Sequence, residues 1–358
     1  MAVNLATKYE KQFAAAFKPN SYFEGKTNTK YSFDGANTIR IYSPVTTPLV
    51  NYNRSGANRY GSPNEMDTVI QELTLTQDKG FTKTLDRGNY TDQMMSISAG
   101  AWMNEQIKGV VTPSTEKYAI GQWVRNAGTV YAAEERPNAE NIVEMLAEGV
   151  RALTDAFVPE DERYLYITSE MFTYLKLADQ FLGVDCLAEK ALSKGILGEF
   201  MGAKVVVLPA SYMPENCFAL LARKESLLLP RKISSFKTHN NPPGIDGWLM
   251  EGRVYYDAFV IGANCSGVWA MVLGSSQQAA PVISFTSNKL TITSSGASQI
   301  KYTLDGSDPR FDAHAKNYSA AADLSDLAAG TYEVKAVAYG GVSTPFTSDV
   351  TSYVITIS

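Results

Sequence analysis

A few residue groupings in this chain have the types and spacing that chemistry requires. Gly25-Lys26-Thr27 has the closing residues of a phosphate-binding loop, in which backbone N–H groups and a lysine hold the phosphates. That loop needs a glycine five positions before Gly25, and Asn20 stands there. His239 and His314 are the only 2 histidines, which leaves few candidates for a histidine-based triad or a two-histidine metal site. His239 lies in "KTHNNPPG" and reads as a solvated turn residue. The adjacent acids Glu134-Glu135 and Asp161-Glu162 have the types of an acid and base pair, but neighbouring carboxylates beside helix ends serve better as solvated charge and dipole complement. Cys186, Cys217 and Cys265 are odd in number, widely spaced and without a CxxC pair, so neither a disulfide framework nor a zinc site is expected. No GxGxxG or GxSxG motif is present. The expectation is no catalytic residue, no metal and no cofactor.

With 45% hydrophobic and 19% charged residues in 358, the chain has material for a large domain plus a smaller one. A formal charge of -5 argues against a dedicated surface for nucleic acid or anionic membrane, so DNA contacts should be weak. The opening "MAVNLATKYEKQFAAAF" mixes charge with Ala and Phe as a short amphipathic helix does, which gives no secretion signal. "AFVIGANCSGVWAMVLG", residues 258–274, is too short and too polar to cross a membrane and reads as two buried strands joined by a turn.

Two hairpins are expected early in the chain. One turns at Asp34-Gly35; the other joins "VIQELTLT" to "GFTKTLD" through "QDKG". Between them, "SPVTTPLVNYNRSGANRYGSPNEM" is too long and too rich in Pro, Gly and Asn for an internal loop. The region therefore reads as an extended two-stranded arm, marginal alone and in need of a neighbour to lie on. Asp78, Lys79, Lys83, Asp86 and Arg87 cluster at its base and are the candidate inter-subunit contacts.

A long helix should follow, capped by Thr91 or Asp92, with Met95, Ile97, Ala101, Trp102 and Ile107 available for burial. The next helix has Asn138 as cap and Ile142, Leu146, Val150, Leu153 and Phe157 on one face. "RYLYIT", "AKVVVLP" and "CFALLA" read as core strands, so the large unit is α+β. After Gly274 there is no Met, Trp or Cys. "GSSQQAAP" then reads as an exposed polar tether, and the short alternating runs beyond it as a small all-β sandwich that folds independently.

The stretches "TIRIYSPVTTPLVNYNR", "ELTLTQDKGFTKTLDRGNYTDQMMSI", "VPEDERYLYITSEMFTYLK", "GEFMGAKVVVLP" and "DGWLMEGRVYYDAFVIGANCSGVWA", in that order and spacing, resemble the major capsid proteins of tailed bacteriophages with the Hong Kong 97-type fold. One departure is Pro113-Ser114-Thr115-Glu116, where many members carry Pro-Glu followed by another acid. The resemblance implies a major capsid domain over residues 1–275, with an extended loop at about 38–86, a spine helix region at about 92–126 and an axial domain at about 138–238. A peripheral domain belongs to the same fold. A linker at 276–281 and an immunoglobulin-like domain at 282–358 follow. The implied function is structural: self-assembly as hexamers and pentamers into the icosahedral or prolate shell around a dsDNA genome. Assembly would take place in the host bacterial cytoplasm, with portal and scaffolding proteins as partners and no membrane.

The tail, with "YTLDGSDP" and "GTYEVKAVAYG", resembles chitobiase C-terminal-type or bacterial immunoglobulin-like sandwiches. That implies display on the outer surface and, through Tyr302, Asp305 and Tyr339, a cell-surface glycan as ligand. Turn and core roles explain the same residues equally well. Two other readings stay open: an encapsulin-type compartment, which would hold cargo protein in place of DNA, and a carbohydrate-binding surface protein, which would need a signal peptide.

Overall fold

The computed structural model describes residues 21–33, 36–47, 49–61, 63, 65–92, 98–178 and 198–357. The expected N-terminal helix, the Asp34-Gly35 turn, Met95, Ile97 and Cys186 lie outside them. In chain order the elements begin with strands β1 (Thr38–Pro44), β2 (Thr68–Thr74) and β3 (Gln77–Asp86), then helices α1 (Arg87–Asp92), α2 (Ala99–Gln106) and α3 (Thr112–Arg125). Next come β4 (Thr129–Ala133), α4 (Ile142–Asp155), β5 (Arg163–Thr168), α5 (Ser169–Leu177), β6 (Glu199–Phe200), β7 (Ala203–Leu208) and β8 (Cys217–Arg223). β9 (Leu227–Leu228), β10 (Arg231–Asn240), β11 (Gly247–Tyr256), β12 (Phe259–Val260) and β13 (Val268–Leu273) complete the large unit. The tail contributes β14 (Val282–Thr286), β15 (Lys289–Thr293), β16 (Gln299–Thr303), β17 (Lys316–Tyr318), β18 (Ala322–Asp323), β19 (Gly330–Tyr339) and β20 (Thr351–Ile357).

A mixed sheet of order β4-β13-β8-β5-β7-β6 organises the large unit. Successive side chains of a strand point to opposite faces, and both faces here are covered, which is why all six residues of β5 are buried. Tyr164, Tyr166, Leu220, Ala222, Val268, Ala270 and Val272 join a core with Ala119, Ile120, Trp123 and Val124 of α3. Leu165, Ile167, Ala219, Leu221, Trp269 and Met271 join a second core with α4 and α5. On α4, Ile142, Leu146, Gly149 and Leu153 are buried, one stripe of the helix. A Cβ on Gly149 would stand 2.8 Å from the Trp269 ring, so only glycine lets the helix approach there. Phe157, expected on this stripe, is instead exposed in the left-handed region (φ 56°), just past the helix end.

The expected long helix is segmented. Ser98 caps α2 by accepting the Ala101 N–H at 3.2 Å, whereas Thr91 sits inside α1 and donates its hydroxyl to the Arg87 carbonyl. Between α2 and α3 the ladder widens into a π-helical turn, Ile107–Val111, where the Thr112 N–H reaches the Ile107 carbonyl. Pro113 supplies the cause: it has no N–H, and its ring crowds the carbonyl four residues back.

β2 and β3 do not form the expected hairpin. β2 pairs antiparallel with β1, whereas β3 pairs with β11 in a sheet of order β10-β11-β3, so "QDKG" lies within β3. The buried Asp257 redirects the chain between them. Its Oδ2 accepts the N–H and hydroxyl of Thr76, each at 2.8 Å, and its Oδ1 accepts the Tyr118 hydroxyl and the Ala258 N–H at the same distance. The two runs of residues 258–274 are also not partners, because β12 pairs with β9 and β13 with β4 and β8.

Glu116 of α3 is buried. Its Oε1 accepts the Ser21 hydroxyl at 2.6 Å and the Tyr22 N–H at 2.9 Å, which ties residues 21–23 to the helix. Burial raises its pKa, and the hydrogen bonds from Ser21, Tyr22 and Phe23 oppose the rise only in part. A carboxyl raised on folding contributes most below its unfolded pKa of about 4.3, and that contribution is lost as pH rises through the folded value. Thermal melts of Glu116→Gln should therefore gain on the wild type between pH 4 and pH 7.5. Glu116→Ala, which leaves these donors without their acceptor, should lose about 1–3 kcal/mol. A wild-type to Gln difference independent of pH would overturn the reading of a buried, titrating carboxyl.

The tail forms two packed sheets, β14-β15-β18 and β17-β16-β19-β20, around Ile283, Leu290, Ile292, Tyr302, Val334, Ala336 and Ile355. It is not hung on an exposed tether. Ser276 and Gln278 are buried, the Gln278 N–H reaches the Phe346 carbonyl at 3.0 Å, and the Phe346 N–H reaches the Ser276 carbonyl at 3.3 Å. Phe311 and Phe346 belong to the same core as Trp123. Polar composition misled here, because Gln277 and Gln278 donate to the carbonyls of Thr347 and Ser295, and the Ser276 hydroxyl accepts from the Asn216 side chain.

Candidate assembly surface

The feature of the large unit that its own packing does not explain is the β1–β2 ribbon and the loop at its end. The inner end of the ribbon is anchored: Ile41, Leu73 and Leu75 are buried with Phe33 and Leu228. Its opposite face is polar there, with an Arg40–Glu72 ion pair at 2.6 Å and a Thr38–Thr74 hydroxyl contact at 2.8 Å between paired residues.

Beyond Pro44 the character changes. Leu49 is fully exposed, Tyr60 85% and Met66 79% exposed, and Val45, Val50 and Tyr52 are more than half exposed. The loop still has internal order, because the Tyr52 and Tyr60 rings meet edge to face at 4.9 Å and the Asn53 N–H reaches the Arg59 carbonyl at 2.9 Å. Gly61 adopts a φ of 93°, and the Val50 side chain lies 2.9 Å from where a Cβ would stand. A shaped loop with its apolar side chains outward is suited to contact with another surface.

The five residues expected at the base of the arm do not act as one cluster. Asp78 is held within the subunit by Arg253, at 2.9 and 2.6 Å, and this pairing keeps its carboxyl below the usual range. Asp86 accepts the N–H groups of Gly88 and Asn89, capping the turn into α1. Arg87 bonds Asn241 at 2.6 Å and lies 3.4 Å from Asp246. Lys79 and Lys83 are exposed on β3, an edge strand of its sheet, and have no ion-pair partner among the described residues.

The other sequence candidates disperse. Lys26 donates to the Tyr22 carbonyl at 2.7 Å inside a turn. His239 lies on exposed β10 beside Glu251, and His314 beside Asp312, each at 3.3 Å. Glu135 accepts from Asn141, Asp161 pairs with Arg223, and Glu162 pairs with Lys224. No group of three His, Cys, Asp or Glu among the described residues is placed to hold a metal, and no described helix is long and apolar enough to cross a membrane.

In the tail, Tyr302 is buried edge to face with Tyr318. Asp305 is exposed and accepts the Ser307 N–H and hydroxyl in a turn. Burial pushes the Tyr339 hydroxyl up to about 12, and Lys301 lies 5.8 Å from its ring. These residues share no exposed ring platform of the kind that stacks on a sugar.

Sequence reasoning missed Gln71, Glu116, Asp257, Arg310, Phe311 and Phe346. One signal was present for two of them: Arg310-Phe311 follows a turn motif whose Gly and Asp residues already satisfy the turn, so neither is needed for it.

Comparison with solved structures shows the fold. A structure from Mycobacterium phage Che8 matches with a TM-score of 0.64 at 16% identity, over 75% of this chain and 96% of that one. The mature capsid of bacteriophage PhiM1 matches with a TM-score of 0.59 at 13% identity, over 75% and 92%. The capsid of cyanophage P-SCSP1u matches with a TM-score of 0.62 at 9% identity, over 75% and 92%. The family described as Fn3 associated matches residues 290–353. No curated protein matches the chain. The large unit therefore has the fold of phage capsid subunits. It carries in addition a C-terminal immunoglobulin-like sandwich.

Proposed function

We propose that this chain is the shell-forming subunit of a tailed phage, a structural protein without catalytic activity. The observation that carries the reading is the ribbon: two strands anchored by one face, polar on the other, and ending in a loop with its apolar side chains outward, on a capsid-type fold. Such a loop leaves apolar surface in water until a second copy covers it, and permanent interfaces of that kind bury upward of about 2,000 Å². Residues 38–86 then serve as the extended loop, 92–126 as the spine region and 138–238 as the axial domain. Lys79 and Lys83 are the members of the charged group left to pair with a neighbouring subunit. The immunoglobulin-like domain faces outward, the shell assembles in the host cytoplasm with portal and scaffolding proteins, and the acidic chain contacts the packaged dsDNA weakly.

The expected result is that the chain expressed alone or with its scaffold forms closed particles of one protein in negative-stain micrographs. A chain that stays monomeric under both conditions would contradict the assignment, and cargo protein in place of DNA inside particles from infected cells would favour a compartment.

A further inference from the structure

The Asp308–Ala313 loop of the tail reaches three parts of the large unit at once. Arg310 is 5% exposed, pairs with Asp308 at 2.6 Å, and donates to the carbonyls of Ala127 and Gly128. Those carbonyls follow the C-terminal end of α3, where unpaired acceptors and the negative end of the helix dipole favour a cation. Phe311 lies against the backbone at Gly262, where an added Cβ would stand 2.6 Å from the Phe311 Cβ. Ala313 donates its N–H to the carbonyl of Ile70, in β2, at 2.8 Å. The neighbouring Gln71 is buried and bridges to the Val260 carbonyl at 2.9 Å and the Gly262 N–H at 2.8 Å.

The place of Ile70 along the ribbon gives this contact its meaning. The pair Thr38 and Thr74 stands at the inner end and the pair Pro44 and Thr68 at the outer end. The apolar anchor runs from Leu75 and Leu73 out to Ile41, which pairs with Gln71. Ala313 therefore grips the ribbon about 10 Å further out than Leu73, three residues at about 3.3 Å each, and one pair beyond the Ile41–Gln71 pair where the anchor ends. A cavity of about 150 Å³ lined by Ser43, Pro44, Val69, Asp308 and Phe311 continues the seam to the last strand pair.

We propose that this loop of the immunoglobulin-like module is a brace for the ribbon, with Arg310 and Ala313 as positioning residues that set the direction in which the arm leaves its subunit. A two-stranded ribbon is marginal by itself, and a support placed near its outer end shortens the length free to swing. The role in shell building rests on the reading of the ribbon as the assembly arm; the mechanical role does not.

Ala313 is the second residue of a turn closed by the Ala315 N–H on the Asp312 carbonyl at 3.2 Å. Proline is favoured at that position, so Ala313→Pro removes the N–H bonded to Ile70 while keeping the turn. In unassembled full-length protein, the amides of residues 38–43 and 68–74 should exchange with deuterium about tenfold faster in this variant than in wild type, while those of β16 and β19 keep their rates. Arg310→Gln should move the same ribbon amides in the same direction. Unchanged ribbon exchange in both variants, or equal loss of protection in β16 and β19, would overturn the brace. Shells of the variant should also be fewer and less uniform in diameter. If the wild type forms no shells, the shell-forming reading fails while the exchange result still decides the brace.

Discussion

Deleting residues 51–64, the end of the ribbon loop, should yield a folded subunit that no longer closes shells. The large exposed residues there, Tyr52 and Tyr60, contribute nothing to either core of the subunit. The thermal melt of the deleted protein should therefore stay within the roughly 0.5 kcal/mol typical of surface changes. Assembly, in contrast, should lose the apolar contacts that the loop makes with a second copy on the proposed reading. A drop from closed particles to capsomers or monomers, read by size-exclusion chromatography and electron microscopy, is the expected result. Complete particles of normal diameter from the deleted chain would show that the loop is not the assembly arm.

Truncation after Ser276 should damage the subunit itself. The expectation from sequence alone, an independent tail on an exposed tether, predicts that removal is tolerated; the packing of Phe311 and Phe346 predicts otherwise. Both aromatic side chains belong to the core that contains Trp123, Ile120 and Tyr166. Removing a buried phenylalanine costs about 3–5 kcal/mol, so two together approach the whole of a marginal stability of about 5–15 kcal/mol. At about 2–4 °C per kcal/mol for a unit of this size, the melting temperature should fall by more than about 10 °C. Aggregation on expression is the other expected form of the same loss. A truncated chain that melts within a few degrees of wild type would mean that the two phenylalanines are dispensable to the core.

The parts of this fold that were legible in the sequence are those set by local periodicity. The stripe of α4 and the buried run of β5 follow directly from the spacing of Ile142, Leu146 and Leu153 and from "RYLYIT". The arm was visible through its loop composition, but its second strand was assigned the wrong partner. Proximity in sequence favoured β2 with β3, whereas β3 pairs with β11, whose register places Asp78 opposite Tyr255. The deciding group, Asp257, is 181 residues from the Thr76 it holds, and no window of sequence contains both. The dispersal of the charged cluster has the same cause, since Asp78 was committed to Arg253 by that register. Docking of the tail was hidden because its polar residues serve backbone groups, and the two docking phenylalanines are not set apart by composition from the third, Phe285, which packs on the tail's own core.

The alternation of the central sheet has an evolutionary consequence. In β5 and β13, even-numbered residues face the core that Phe311 and Phe346 enter, and odd-numbered residues face the one built with α4 and α5. A lineage that gains or loses the immunoglobulin-like module would be expected to adjust the first set. Tyr164, Tyr166, Val268, Ala270 and Val272 should therefore vary with the presence of the module among descendants of one ancestor. Leu165, Ile167, Trp269 and Met271 should drift without regard to it, so that a single strand carries, on alternate residues, two independent histories.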